Sequence, residues 1–199
     1  MVDKSVPYIK AIMINRTAES YPRISLPDGF KICGYTDSYK ETWLELAVEQ
    51  HGLELSSAVE IFEREFLSKP ELLSERCLFV VDEKSGKAVA TASFWRGEIA
   101  PGISMNRIHW VATKAEYQGR GIIKALLSYI MDLYHAIGET GGIYITTQTQ
   151  SYVAVNVYKK FGFVSYLGEL HTENFDLAAH QEAWRIINAK ISEYKRAKI

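Results

Sequence analysis

The sequence predicts one α+β domain, residues 1–199, with a mixed central β-sheet flanked by helices. Three observations lead there. Of the 199 residues, 47% are hydrophobic and 24% charged, an ordinary globular balance that supplies a full core. "CLFVVDEKSGKAVATASFW" reads as a β-hairpin, with Cys77–Asp82 as one strand, Lys84-Ser85-Gly86-Lys87 as the turn and Ala88–Trp95 as the return. Beyond it the pattern runs strand, turn, helix, strand, helix, strand, and a β-α-β crossover favours parallel strands.

The N-terminal 29 residues are the hardest to read. Tyr8–Ile14 has strand character, and Pro22, Pro27 and Gly29 mark turns. Phe30–Thr36 reads as a strand. Asp37 to Gly52 reads as a helix, because Ser38 and Glu41 have capping-box spacing and Gly52 supplies a stop; Trp43, Leu46 and Ala47 share its apolar face. A second box, Ser57 with Glu60, opens a helix to about Leu67, with Ile61, Phe62, Phe66 and Leu67 in helical phase. Ile103–Thr113 is a strand. After "EYQGRG" a long helix carries Ile122, Leu126, Ile130, Leu133, Tyr134 and Ile137 at helical spacing and ends before Gly138, Gly141 and Gly142. Ile143–Thr149 is a strand, Ser151 opens a short helix stopped at Gly162, Phe163–Leu167 is a strand, and Asp176–Lys198 a final helix. No repeat, low-complexity tract or linker interrupts this order.

Composition excludes several classes of function. With 23 basic and 24 acidic residues, nothing points to nucleic acid or an acidic membrane as a partner. The basic run Lys195, Arg196, Lys198 reads as a solvated helix end. Cys33 and Cys77 are too few for a disulfide framework or a zinc site and sit in apolar runs, where buried inert thiols are the expectation. No metal is expected, since the histidines lack ligand spacing. The N-terminal apolar run, broken by Lys10, is too short for a signal peptide core or a span, so a cytoplasmic location is expected.

The chemistry concentrates in the glycine turn. A helix start leaves its first N–H groups without partners and carries partial positive charge. Gly119 and Gly121 let backbone approach an anion closely, and Arg120 adds full charge. The turn alone fits two readings: an anion cradle, plausibly for a pyrophosphate, or a tight strand-to-helix connection that binds nothing. It is no G-x-G-x-x-G fingerprint, since the third glycine would fall at Lys124, and no P-loop sequence occurs.

"VATKAEYQGRGIIKALL", followed about thirty residues on by "AVNVYKKFGF", resembles the GNAT family of acyl-CoA-dependent N-acyltransferases over most of residues 77–167. In the family motif Q/R-x-x-G-x-G/A, Gln118 and Gly121 match; Ile123 departs. In N-x-x-A-x-x-L-Y-x-x-x-G-F, Ala154, Tyr158, Gly162 and Phe163 match, with Val157 for the leucine and Ser151 for the asparagine. The resemblance implies the GNAT fold, with parallel strands splayed at the coenzyme site, and acetyl transfer from acetyl-CoA to a primary amine of a small molecule or protein. A coenzyme A-binding sensor without significant catalysis is the alternative.

The resemblance also implies roles. Gln118, Gly119, Arg120, Gly121, Ile122 and Ile123 hold the pyrophosphate, backbone groups of Trp110, Val111, Ala112 and Thr113 pair with the pantetheine, and Ser151 and Tyr158 also contact the coenzyme. Tyr158 is the expected general acid for the leaving thiolate, since a phenol of ordinary pKa about 10 lies near a thiol; packing of the short helix is its other reading. His109 is the candidate base because imidazole titrates near neutrality; a structural histidine, Glu98 or a water chain are the alternatives. Strand alternation sets His109, Val111 and Thr113 on one face and Trp110 and Ala112 on the other. Trp43, Phe62, Trp95 and Trp110 could line the acceptor side or fill the core. Homodimers are common in the family, and the last helix, with Trp184, Ile187 and Ile191, offers either an interface or a cover for its own sheet.

Overall fold

The computed structural model describes residues 2–197. Its strands are β1 (Lys10–Asn15), β2 (Phe30–Gly34), β3 (Cys77–Asp82), β4 (Lys87–Ala100), β5 (Ile103–Thr113), β6 (Ile143–Gln148) and β7 (Val164–Ser165). Its helices are α1 (Lys40–His51), α2 (Leu55–Phe62), α3 (Pro70–Arg76), α4 (Ile122–Ala136), α5 (Tyr152–Lys160) and α6 (Leu177–Arg196). The sheet order is β2-β3-β4-β5-β6-β1-β7. β3 pairs antiparallel with β2 and β4, β1 pairs antiparallel with β6 and β7, and β5 pairs parallel with β6 through Asn106↔Ile143 and Arg107↔Tyr144. The mixed sheet and the parallel crossover are therefore as the sequence predicts. The chain groups into two compact units: one formed by residues up to Pro22, Arg96–Arg107 and residues from Tyr134 on, the other by Arg23–Trp95 and Ile108–Leu133.

The unit containing α1 to α3 is organised by aromatic burial. Trp43, Phe62, Phe66, Phe79 and Trp95 form one cluster with Tyr35, Cys77 and Val81. Trp43 meets Phe62, Phe66 and Trp110 edge-on at centroid distances of 5.1, 5.5 and 5.0 Å, the geometry in which a ring's positive edge faces a negative face. Phe62, Phe66 and Trp43 are the strongest core anchors here, each at most 1% exposed.

Several helix starts differ from expectation. Ser38 does not cap α1; its hydroxyl pairs with that of Thr36 at 2.7 Å, and a short 3-10 turn, Asp37–Tyr39, leads into the helix. The Ser57/Glu60 box does not form either, because α2 begins earlier: the Ala58 N–H already donates to the Glu54 carbonyl. After Phe62 the helix widens into a π-helical turn, Glu63–Leu67, and α3 follows with Pro70 in its first turn, where a missing N–H costs nothing. Gly52 does end α1, in a left-handed conformation with its N–H on Val48 O.

The β3–β4 register shifts between Val80 and Val81, leaving Val89 as an extra residue on β4. Its carbonyl accepts the Lys114 N–H at 2.9 Å, just past the end of the neighbouring strand β5.

In the other unit, Ile12, Ile14, Ile99, Tyr144 and Tyr166 form a core. Asn15 is buried and pins two turns: its amide donates to Phe161 O at 2.9 Å, and its side-chain oxygen accepts from Ala18 N at 2.9 Å. α6 is capped by Asp176, whose carboxylate accepts the Ala179 N–H, and packs on α5 and β1. Trp184, Ile187 and Ile191 are buried within the chain's own fold. The expected strand ends shorten to β7, Ile137 lies exposed beyond α4, and the expected end of the last helix at Lys198 falls outside the described residues.

Gly34 lies where β2 meets α3, and a Cβ there would collide with the Ser74 carbonyl oxygen, which is backbone and cannot swing away. Gly34→Ala is expected to lower stability by about 1–3 kcal/mol, read from the midpoint of chemical denaturation; an unchanged midpoint would contradict this packing.

Candidate active site

β5 delivers the chain to a 3-10 turn, Ala115–Tyr117, and then to "QGRG" and α4. Gly119 and Gly121 both have left-handed backbones, φ +79° and +87°, which explains glycine at each without any appeal to a ligand. A Cβ at either position would meet no protein atom within 4 Å, so the space above the turn is open. The next residues start α4, whose first N–H groups have no acceptor within the helix. Beside the turn, Thr113 Oγ1 is buried with no hydrogen-bond partner among the described residues.

Side chains brace this turn from below. Gln118 Nε2 donates to Thr113 O at 3.2 Å and to Gln50 Oε1 at 3.1 Å, tying the turn to β5 and α1. The Tyr117 hydroxyl donates to Asp82 Oδ2 at 2.8 Å, while Asp82 Oδ1 accepts the Lys84 N–H in the hairpin turn. These bonds, the tyrosine's foremost, hold the Asp82 pKa below its ordinary value. Lys114 Nζ reaches Glu45 Oε2 at 2.9 Å, which raises the lysine's pKa. Arg120 does not face the helix start: it donates to Glu116 O, and its guanidinium lies over the Tyr117 ring at 4.9 Å. The Arg120 guanidinium is thus engaged within its own loop, and the backbone amides of the helix start remain as donors at the turn. Ile122 is buried and Ile123 half-buried.

Immediately upstream, Trp110 has a left-handed backbone, φ +53°, which is strained for a bulky residue. This bends β5 and breaks its alternation. His109 and Trp110 were expected on opposite faces; instead both reach the carboxylate of Glu65. Trp110 Nε1 donates to Glu65 Oε2 at 2.9 Å, and His109 Nδ1 lies 3.3 Å from the same oxygen. The imidazole is 6% exposed as a residue and enclosed by the rings of Phe66, Trp95 and Trp110 at 5.6, 6.4 and 6.1 Å. His51, at the end of α1, meets Trp110 edge-on at 5.2 Å. Its pKa is lowered, by desolvation of the ring first and by repulsion from His109 second. Trp43, Phe62 and Trp95 fill the core behind this group, and Trp110 alone of the four expected aromatics stays half-open.

Tyr158 belongs to the other unit. Its ring is buried, edge-on to Phe163 at 6.4 Å, and burial drives its pKa well above the ordinary phenol value. Its carbonyl accepts the Phe161 and Phe163 N–H groups and so closes α5. Gly162 follows with φ +80°, close against Asn15. Ser151 sits half-buried at the start of α5 without a side-chain capping bond. Glu98 is exposed on β4. His135, His171 and His180 are engaged by Ala18 O, the Tyr166 hydroxyl and Asp176 O. Among the described residues no group of three or more His, Cys, Asp or Glu could hold a metal ion, and no helix is long and apolar enough to cross a membrane.

Glu65 is the residue that sequence reading passed over. "EREF" reads as an ordinary charged helix face, and nothing in it marks the π-helical turn that carries Glu65 to β5.

The acetyltransferase (GNAT) family profile matches residues 36–163. Comparison with curated proteins finds no match. Among solved structures, a GCN5-related N-acetyltransferase from Sphaerobacter thermophilus aligns with TM-score 0.61 at 20% identity, over 80% of this chain and 49% of its own. An acetyltransferase of the GNAT family from Colwellia psychrerythraea aligns with TM-score 0.58 at 13% identity, over 80% of this chain and 54% of its own. At such identities the likeness is one of fold. The chain spans about half the length of these structures.

Cys77 is buried, and burial pushes its thiol up to about 12, against weaker opposing bonds from Ser93 and Thr91. A thiolate is the reactive species, so Cys77 is expected to resist alkylation at pH 8 while the half-buried Cys33 is modified first. Peptide mapping after brief iodoacetamide treatment checks this; early label on Cys77 would contradict its burial.

Proposed function

The chain belongs to the acetyltransferase (GNAT) family, and on that premise we propose that it transfers the acetyl group of acetyl-CoA directly to a primary amine of a small molecule or a protein. The observation that carries the proposal is the open glycine turn at the start of α4, where two left-handed glycines leave room above the first amides of the helix.

In this reading the amides from Gly119 to Ile123 hold the pyrophosphate. Arg120 contributes through its N–H, its side chain being turned onto Glu116 and Tyr117. Gln118 acts from beneath, as a brace. The backbone of Trp110 to Thr113 pairs with the pantetheine amides, and the buried Thr113 hydroxyl gains a partner there. The thioester supplies an activated acyl group. An ammonium cannot attack it, so a base must first take a proton, and His109 is the proposed base. Tyr158 is the proposed acid for the departing thiolate. Burial raises its pKa, which keeps the phenol protonated but makes it a weaker acid than a free tyrosine, so the acid role rests on its place in the motif. The two uncoordinated thiols, Cys33 and Cys77, suit the reducing cytoplasm proposed as its setting.

The burial of Tyr158 favours one second reading, a coenzyme A-binding sensor without significant catalysis. Release of free thiol from acetyl-CoA across a panel of amines separates the two. Amine-dependent release supports the transferase. Tight coenzyme binding with no release from any amine would support the sensor.

Gly121→Glu is expected to weaken acetyl-CoA binding at least tenfold more than Gly121→Ala, which imposes the same backbone strain without the carboxylate. That ratio corresponds to about 1.4 kcal/mol. Equal affinities by calorimetry would remove the cradle assignment. Tyr158→Phe is expected to lower kcat while leaving acetyl-CoA affinity within about twofold; an unchanged kcat where chemistry limits the rate would remove the acid role.

A further inference from the structure

We propose that Thr149 is a positioning residue: its hydroxyl clamps the turn between β6 and α5 onto the N-terminal residues 3–9 and so sets where α5 carries Tyr158. The catalytic meaning of this rests on the amine acyl transfer proposed above, in which Tyr158 is the acid.

β1 and β6 form an antiparallel ladder that ends with Lys10 opposite Gln148. One further backbone bond follows, from the Thr149 N–H to Ile9 O at 3.0 Å. There β6 leaves the sheet: Thr149–Ser151 make a 3-10 turn, and Tyr152 opens α5. The Ile9 N–H and the Pro7 carbonyl are both taken by the Thr149 side chain. Its Oγ1 accepts the Ile9 N–H at 3.0 Å and donates its own proton to Pro7 O. An amide N–H only donates and a carbonyl only accepts, so both roles of the hydroxyl are fixed. The side chain thus stands in for backbone at the point where strand becomes helix. Thr149 is 0% exposed, and its β-branched side chain is stiff about χ1, so the clamp has one geometry.

The same N-terminal residues hold the rest of the turn. The Asp3 N–H donates to Gln150 O at 2.9 Å, Gln150 Nε2 donates to Val6 O at 2.9 Å, and the Tyr152 hydroxyl donates to Asp3 Oδ2 at 3.2 Å. Asp3 is kept in place by Ser5, whose N–H and hydroxyl both donate to Oδ1, and Val6 anchors the segment by its burial. Ser151 makes no side-chain capping bond, so the start of α5 is not fixed by a cap of its own. Tyr158 follows Tyr152 by fewer than ~2 helical turns. A displacement of the first turn of α5 is therefore passed on to the phenol. Residues 3–9, which show little periodicity in the sequence, gain a role as the support of this turn.

The test compares Thr149→Val, which keeps the side chain's shape and removes the hydroxyl, with Thr149→Ser, which keeps the hydroxyl and removes a methyl. Both are made in the full chain and measured by amide hydrogen exchange without ligands and by kinetics with acetyl-CoA and the best amine of the panel. Thr149→Val is expected to speed exchange across residues 149–158 about tenfold. It is also expected to lower kcat about tenfold, with acetyl-CoA affinity held within about threefold because the glycine turn is untouched. Thr149→Ser is expected to restore both exchange and kcat. Wild-type exchange or wild-type kcat in a folded Thr149→Val protein, or a Thr149→Ser protein as impaired as Thr149→Val, overturns the proposal. A merely structural threonine would lower the denaturation midpoint without the loss of kcat. Should Thr149→Val fail to fold, Tyr152→Phe probes the same clamp by removing the bond to Asp3. It is expected to speed exchange in this stretch about threefold, and unchanged exchange there overturns the clamp. Absence of amine-dependent thiol release in the wild type, with exchange as stated, overturns the transferase reading and leaves the clamp intact.

Discussion

The left-handed backbone of Trp110 is the constraint around which its unit is arranged. Such a conformation costs on the order of 1–3 kcal/mol for a non-glycine residue and persists only where its surroundings over-determine it. Here they do. The indole is bonded to Glu65, and it meets Trp43 and His51 edge-on. The aromatic cluster of α1, α2 and the π-helical turn thus offsets the cost of a bend in a strand that the sheet alone would keep straight. What the bend yields is a pair of consecutive side chains on one side of β5, a placement regular pleating forbids.

That bend separates what the sequence made legible from what it hid. Ile103–Thr113 could be read residue for residue, because apolar runs and flanking turns are local signals. So could the glycine turn, since Gly119 and Gly121 are required by φ alone. The faces of His109 and Trp110 could not be read, because alternation assumes an unbroken pleat. The capping boxes failed for a related reason. Ser38 had a nearer partner in Thr36, and Glu54 started α2 before Ser57 could cap it; both are competitions a spacing rule does not weigh. α3 was missed because Pro70 reads as a breaker unless it is already known to stand in a first turn. Glu65 stayed hidden because its significance lies in a contact with residues more than forty positions away, made through an irregular helical turn.

The glycine turn, proposed as an anion cradle, carries little charged side chain at its mouth. Arg120 is the obvious cation in "QGRG", yet it is folded back on Glu116 and Tyr117. Gln118, which the family motif holds fixed, spends its amide on Thr113 and Gln50. The residues that look like ligands set the loop's shape, and the proposed binding falls to N–H groups that any sequence carries. In that reading the departure at Ile123 changes a side chain and leaves the amide beside it in place.

The extra residue in β4 fixes a count. With Val89 present, its carbonyl holds Lys114, the residue that hands β5 over to the glycine turn. Remove one residue from that stretch and the hairpin could close into a regular ladder with no local penalty. The pairs on either side, Val80 with Ala90 and Val81 with Ala88, would stay in register, while Lys114 would lose its acceptor. The extra residue of β4 thus sets where the glycine turn is attached, and its loss would be felt at the end of β5 rather than in the hairpin that carries it.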